Sequence, residues 1–409
     1  MKPSGPIPPD YQARDGQLLI GGETAEALIA RAGDTPLFVY DMAVVRDRVA
    51  RLRAALPDGV AVHYALKANP YPPLLAAMAG LVDGMDVASA GEMALALESG
   101  VAAGALSFAG PGKRDRELEA AIAAGVTLNL ESDGEVERAL AIAERIGRVP
   151  RLAVRVNPPF DLRGSGMRMG GGAKPFGVDA DRAPALVKRL IGAGADWRGL
   201  HIYAGSQTLD ADAIIEAQAA TVALAAGIAD AVGVPPPTVN LGGGFGIPYF
   251  SGDAPLDIAR VGAALGDFLS RRPSALRDTG FAIELGRWLV GEAGVYLTRI
   301  VDRKTSHGET FLVVDGGLHH QLAASGNFGT VVRRNYPIAL AGRFFAPADE
   351  EASVVGCLCT PLDRLGDKVA LPHAEAGDVI AIFMAGAYGA SASPAAFLGH
   401  PAALELLVG

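Results

Sequence analysis

The chain of 409 residues is half apolar and one-fifth charged, with a formal net charge of -9. That background field repels phosphate backbones and anionic headgroups, so nucleic-acid and anionic-membrane partners are excluded and any bound phosphate must be held by local groups. The N-terminus lacks the apolar run of a secretory leader and no stretch of eighteen uninterrupted apolar residues occurs, which reads as a soluble cytoplasmic protein.

A proline-rich lead precedes a short strand at 17–21, a helix at 24–31, a second short strand at 37–40 and a helix at 42–55 with arginines on its wet side. A rhythm then begins. Apolar strand-like runs at 60–66, 84–88, 105–109, 126–130, 151–157, 198–204, 237–241 and 281–285 alternate with Ala-, Leu- and Glu-rich helical segments such as 91–99 and 134–145. Eight such units in roughly 230 residues match a closed (β/α)8 TIM barrel, whose active site lies at the carboxyl ends of its strands. An open doubly wound sheet has the same spacing and is the competing architecture. Beyond residue 286 the pattern turns to β-like runs at 295–301, 310–314, 330–332, 337–340, 353–356 and 378–383, separated by turn residues. This predicts a mostly antiparallel C-terminal β-domain that the N-terminal strand can join. The predicted domains are therefore 36–285 for the barrel, and 1–35 with 286–409 for a discontinuous β-domain. The Gly-rich segment 163–174 is a long loop after the fifth strand, read either as a lid or as plain loop.

Under the barrel reading, polar residues at strand ends converge on one mouth. Lys67 follows the first strand and is stopped by Asn69-Pro70. Asp86 lies in the second, Arg155 and Asn157 on the fifth, Tyr203 after the sixth, Gly242-Gly243-Gly244 after the seventh, and Glu284 ends the eighth. A lysine so placed either snorkels to solvent or serves as a covalent nucleophile whose pKa is lowered by burial. Consecutive glycines let backbone N–H groups approach an anion, and Ser206 can add a hydroxyl. Lysine, phosphate nest and carboxylate together suggest pyridoxal phosphate, with Glu284 facing the ring nitrogen; an ion pair of Glu284 with Arg287 is the plainer alternative. Cys357 and Cys359 are too close in sequence for an unstrained disulfide. With no CxxC motif or clustered histidines beside them, they read as free thiols and no metal site is expected.

In combination, Tyr64-Ala-Leu-Lys-Ala-Asn69, Gly205-Ser-Gln207, Asn240-Leu-Gly-Gly-Gly-Phe-Gly246, Glu284-Leu-Gly-Arg287, Gly356-Cys-Leu-Cys-Thr-Pro-Leu-Asp363 and Ala387-Tyr-Gly389 resemble the fold-type III pyridoxal-phosphate decarboxylases, which include the diaminopimelate and ornithine enzymes. The resemblance runs from about residue 35 to the end of the chain. It implies that Lys67 carries the cofactor, that Glu284 pairs with its ring nitrogen, and that Ser206, Gly243, Gly244, Gly286 and Arg287 hold its phosphate. Asp86, Arg155 and Tyr203 complete the cofactor site, Tyr203 standing where the family usually has a ring-stacking histidine. His201, two residues earlier, reads as a satisfied histidine of the barrel interior. The resemblance further implies a homodimer with shared sites, in which Cys359, as proton donor, and Tyr388 reach the partner subunit's mouth. Arg287, Cys359, Thr360 and Tyr388 would line the substrate.

Diaminopimelate decarboxylases have an arginine-proline near Ala323-Ala324 that clamps the distal carboxylate, and an acidic residue where Thr360 stands. Their loss makes diaminopimelate a poor substrate. The segments Ser325-Gly-Asn-Phe-Gly329 and Arg333-Arg-Asn-Tyr-Pro337 resemble a branch that acts on aminoacyl groups tethered to acyl carrier proteins, including relatives in exosortase-associated clusters. An amino-acid racemase and a catalytically silent cofactor-binding regulator are the competing functions.

Overall fold

Closure of the sheet decides between the two architectures. In the computed structural model, which describes residues 1–327 and 333–409, eight parallel strands pair in sequence order: β1 (Val60–Ala65), β2 (Gly84–Val87), β3 (Leu106–Phe108), β4 (Thr127–Leu130), β5 (Arg151–Asn157), β6 (Asp196–Ile202), β7 (Thr238–Asn240) and β8 (Gly280–Leu285). The ring is sealed where Phe281–Leu285 of β8 align with Val60–Tyr64 of β1, so the chain forms a closed barrel and the open sheet is ruled out. All eight strands fall on the apolar runs read from the sequence, because a strand buried on both faces must be apolar throughout.

Local signals set the helices. The Ser89 and Ser132 hydroxyls accept from the N–H groups of Glu92 and Glu135 at the starts of helices Ala90–Glu98 and Asp133–Ile146. The latter ends on left-handed Gly147, as helix Asp115–Ala124 ends on Gly125. Helix Ala211–Val232 is, among the described residues, long and apolar enough to cross a membrane, but half of that window is buried and it packs against helix Ile258–Ser270.

Two compact units divide the chain. One holds Val49–Gly246 and Leu256–Gly286, with the barrel; the other holds Met1–Arg48, Ile247–Pro255 and Arg287–Gly409. In the second unit β9 (Gly294–Ser306) is central. It pairs antiparallel with Leu37–Asp41, with β10 (Glu309–Val314) and with β14 (Val379–Ile382), which also pairs β11 (Ile338–Leu340). The sheet is mixed, since β10 runs parallel to β12 (Glu350–Val355) and β15 (Leu404–Val408) runs parallel to Leu37–Asp41. Strands β13 (Arg364–Leu371) and β15 carry charged or exposed residues within short apolar runs, and the sequence pattern alone does not mark them. The run read at 330–332 lies outside the described residues.

Candidate active site

The first strand ends in a tight turn, Leu66–Ala68, that carries Lys67. The backbone beneath it is held: the Tyr64 hydroxyl donates to the Asn69 carbonyl at 2.8 Å, and the Asn69 side-chain oxygen accepts from Tyr71 N–H at 3.0 Å. The side chain itself is exposed, its amine 5.7 Å from the centre of the Tyr203 ring. Of the two readings of this lysine, the one that rests on burial is not met in this structure, because the side chain is exposed.

Five polar residues lie side by side on neighbouring strands of the barrel. Strand register sets His201 on β6 beside Arg155 on β5 and Asn240 on β7, and Glu284 on β8 beside His63 on β1. Glu284 is 7% exposed; it accepts from the Asn240 amide at 3.1 Å, and one oxygen lies 2.9 Å from His201 Nε2. Burial alone would raise the pKa of this carboxyl, but His201, Lys67 and Arg155 outweigh it and bring it down to about 2. Glu284 is thus a fixed anion at any working pH. His201 is a participant rather than a bystander, although neither of its ring nitrogens has an aligned hydrogen bond. The Glu284 to Arg287 ion pair considered from sequence is not the arrangement that forms.

Asp86 on β2 is held by His63, whose Nδ1 lies 3.4 Å from one carboxylate oxygen. Burial opposes charge on His63, yet Asp86 and Glu284 leave its pKa above the ordinary value. Both Asp86 oxygens are buried without a hydrogen-bond partner, a cost that a polar ligand in the barrel would relieve. Arg155, expected among the cofactor contacts, donates instead to Glu131 at 3.0 Å. Glu131 also accepts from the backbone N–H groups of Gly110 and Gly177. Lys113, completely sheltered, closes this network on Glu135 at 2.7 Å. Arg155 reaches Glu284 through its charge. Asn157, also read as a mouth residue, donates to the Gly172 carbonyl and to Asp179.

After β7 the chain turns through Gly242, whose N–H is taken by the Asn240 side chain at 2.8 Å, and the Gly242 carbonyl in turn accepts from Glu284 N–H at 2.9 Å. A Cβ at Gly243 would stand 1.9 Å from the Glu284 carbonyl oxygen, and Gly244 has a φ of 88°. The loop therefore needs glycine both for close approach and for its left-handed turn. Together with the orphaned Asp86 oxygens, this cradle fits a group bearing a phosphate and a basic ring. Gly243→Ala should lower stability by about 1–3 kcal/mol from overpacking and weaken cofactor retention. Denaturant midpoints and cofactor content after gel filtration check both, and an alanine variant with unchanged midpoint would contradict the crowding.

The Gly-rich segment is not a free lid. Met167 and Arg168 pair antiparallel with Ser206 and Gly205, and the Met169 and Gly170 N–H groups donate to Ala204 at 3.1 Å. Ser206 is thereby fixed at the exit of β6, and the segment 163–174 is laced to it.

In the second unit Arg287 opens the short helix Arg287–Val290. It donates to the Tyr249 hydroxyl at 2.8 Å, and its guanidinium lies 4.6 Å from the centre of the Tyr388 ring. Burial disfavours its charge, but Tyr249 and Tyr388 hold its pKa above the ordinary value. Tyr388 has a φ of 57°, and this turn folds it back onto Arg287 of its own chain. Within its own chain Tyr388 packs against Arg287. Tyr249 and Tyr336, ring centres 4.8 Å apart, complete an aromatic cage for Arg287 that the sequence reading missed.

Cys359 is exposed, and Thr360 forms the turn after it: its N–H donates to Leu358, its carbonyl accepts from Asp363. The expectation that no histidines cluster with the cysteines also fails, because the fold carries His319 and His400 to Cys357. Gly286, before Arg287, lies against the lysine turn: a Cβ there would meet that of Ala68 at 2.7 Å.

The profile of the family described as "Pyridoxal-dependent decarboxylase, pyridoxal binding domain" matches residues 42–291. The sequence is 36% identical over 385 residues to an L-glutamyl-[BtrI acyl-carrier protein] decarboxylase of Niallia circulans, covering 91% of this chain and 89% of that protein. It is 32% identical over 410 residues to a diaminopimelate decarboxylase of Methanothermobacter thermautotrophicus, with 98% and 92% covered. Among solved structures, diaminopimelate decarboxylase of M. jannaschii in complex with L-lysine superposes with a TM-score of 0.87 at 25% identity, covering 97% of this chain and 92% of that one.

Proposed function

The chain belongs to the fold-type III pyridoxal-phosphate decarboxylases, and from that premise we propose that its substrate is an aminoacyl group carried on an acyl carrier protein. It is a carboxy-lyase that uses pyridoxal phosphate, which sets aside the racemase and silent-regulator readings.

Pyridoxal phosphate, when bound, supplies an electron sink for the pair left behind as carbon dioxide departs. Lys67 would hold it through its amine, Ser206, Gly243, Gly244 and Arg287 would hold its phosphate, Tyr203 its face and Glu284 its ring nitrogen. Glu284 performs that service because it stays anionic and keeps a proton on any basic nitrogen set against it. His201 and Asn240 fix the direction of the carboxylate. Cys359 would be lent by the second copy of a homodimer and deliver a proton to the α-carbon; its exposure on the isolated chain fits a thiol whose workplace is elsewhere.

The observation that carries the substrate reading is the exchange of a charged clamp for methyls at Ala323 and Ala324. Ala324 is buried in a turn closed by the Ser325 hydroxyl on the Leu322 carbonyl at 2.7 Å. A distal carboxylate would find no bidentate partner at these positions, whereas an acyl group joined through a thioester has no such charge to pair. The similarity to the Niallia circulans enzyme supports the same choice. Measured side by side, glutamyl-carrier protein should release carbon dioxide with a kcat/KM about 10²-fold above that of free glutamate or diaminopimelate. Equal turnover on a free amino acid overturns the carrier.

Arg333 reaches the Leu362 carbonyl, while exposed Arg334 lies 3.7 Å over the Phe250 ring. Arg334 is the better placed of the two to meet an acidic carrier. Arg334→Glu should reduce kcat/KM for the carrier-bound substrate roughly tenfold and flatten its dependence on ionic strength. Unaltered salt dependence would remove this residue from the docking surface.

A further inference from the structure

We propose that His319, Cys357 and His400 form a binding site for a divalent, zinc-like metal ion in the β-domain. One donor atom from each lies within 4.8 Å of the other two, and Cys357 Sγ is 3.8 Å from His400 Nδ1. A tetrahedral zinc with bonds of about 2.0–2.3 Å sets its ligand atoms roughly 3.5 Å apart, so small side-chain movements close the set. The three residues come from separate parts of the chain: His319 follows β10, Cys357 follows β12, and His400 precedes β15.

The second observation is His319 itself. It is 0% exposed, yet neither ring nitrogen has a hydrogen-bond partner, which is costly for an imidazole unless a ligand is taken up. Neighbouring His320 is spoken for on both sides, Nδ1 by the Tyr296 hydroxyl at 3.0 Å and Nε2 by the Pro401 carbonyl at 2.8 Å, so it braces His319 and the stretch next to His400.

The cluster also has a built support. The Asp363 carboxylate accepts from Leu318 N–H at 2.6 Å and from Leu358 N–H at 2.9 Å, which are the residues beside His319 and Cys357. A Cβ at Gly317 or Gly356 would fall within 2.4 Å of that carboxylate, so both loops are drawn tightly around it. Two imidazoles and one thiolate are a soft, zinc-type donor set that leaves a fourth position for water. Binding converts the Cys357 thiol to a metal thiolate and releases its proton to the buffer. An ion here would stitch three loops together at the start of the turn that bears Cys359. The proposal does not depend on the substrate assigned above.

The test loads the holoenzyme with Zn²⁺, removes loosely held metal by gel filtration, and reads stoichiometry together with X-ray absorption at the zinc edge. The expected result is one zinc per chain with one sulfur at about 2.3 Å and two imidazole nitrogens at about 2.0 Å. Cys357→Ser should abolish the sulfur scattering and weaken retention at least tenfold. His400→Gln, at a half-buried position that does not threaten folding, should remove one nitrogen and weaken retention likewise, while Cys359→Ser keeps the sulfur. No retained zinc, an all-nitrogen-and-oxygen shell, or unchanged zinc binding in Cys357→Ser would each overturn the assignment.

Discussion

Lys67→Ala should lower decarboxylation by roughly 10⁴-fold or more, because in the role proposed above Lys67 holds the cofactor aldehyde covalently. The loss should appear in kcat, since Tyr203, Gly243 and Gly244, proposed to hold the cofactor, remain in the variant. Folding should be untouched: the side chain is exposed, and the turn below it is fixed by Tyr64 and Asn69 rather than by the amine. Borohydride reduction followed by peptide mapping should label position 67 in the wild type and leave the variant unlabelled. A variant retaining a tenth of wild-type turnover would remove Lys67 from the chemistry.

Glu284→Gln is the second large effect, expected at roughly 10²–10³-fold in kcat. The amide occupies the same volume but cannot hold a proton on a neighbouring nitrogen by charge, and it leaves His201 beside a neutral group. Stability should also move in a defined direction with pH. The folded pKa of Glu284, about 2, lies below the ordinary carboxylate value of roughly 4.3, so its contribution is fully present above that value and fades as pH falls from about 4 toward 2. Wild type should exceed the variant in denaturation midpoint near neutrality, and the gap should close in that acid window. A gap independent of pH would mean that the cost is packing and not charge.

Much of the barrel was legible because its strands are buried on both faces and appear as unbroken apolar runs, with Ala-, Leu- and Glu-rich helical spacing between them. Closure was not, since the pairing of Val60 with Phe281 joins the two ends of the barrel and leaves no local trace. Lys67 and Glu284 stood out as lone polar residues at the ends of apolar strands. Their settings did not: His201 was legible as a residue of the barrel interior but not as the partner of Glu284, and the hold of Glu131 on Arg155 depends on which strands become neighbours. The same limit hid the cage of Tyr249 and Tyr336 and the meeting of His319 with His400. It also hid the contact of Tyr388 with Arg287.

The anchored turn under Lys67 bears on the rhythm of catalysis. In the role proposed for Lys67 its amine would let go and later come back, and only the torsions of one aliphatic stem would need to change, because the peptide beneath is held by Tyr64 and Asn69. The return is a short search among side-chain rotamers, with an entropy cost of about 2 kcal/mol, instead of the slower refolding of a loop.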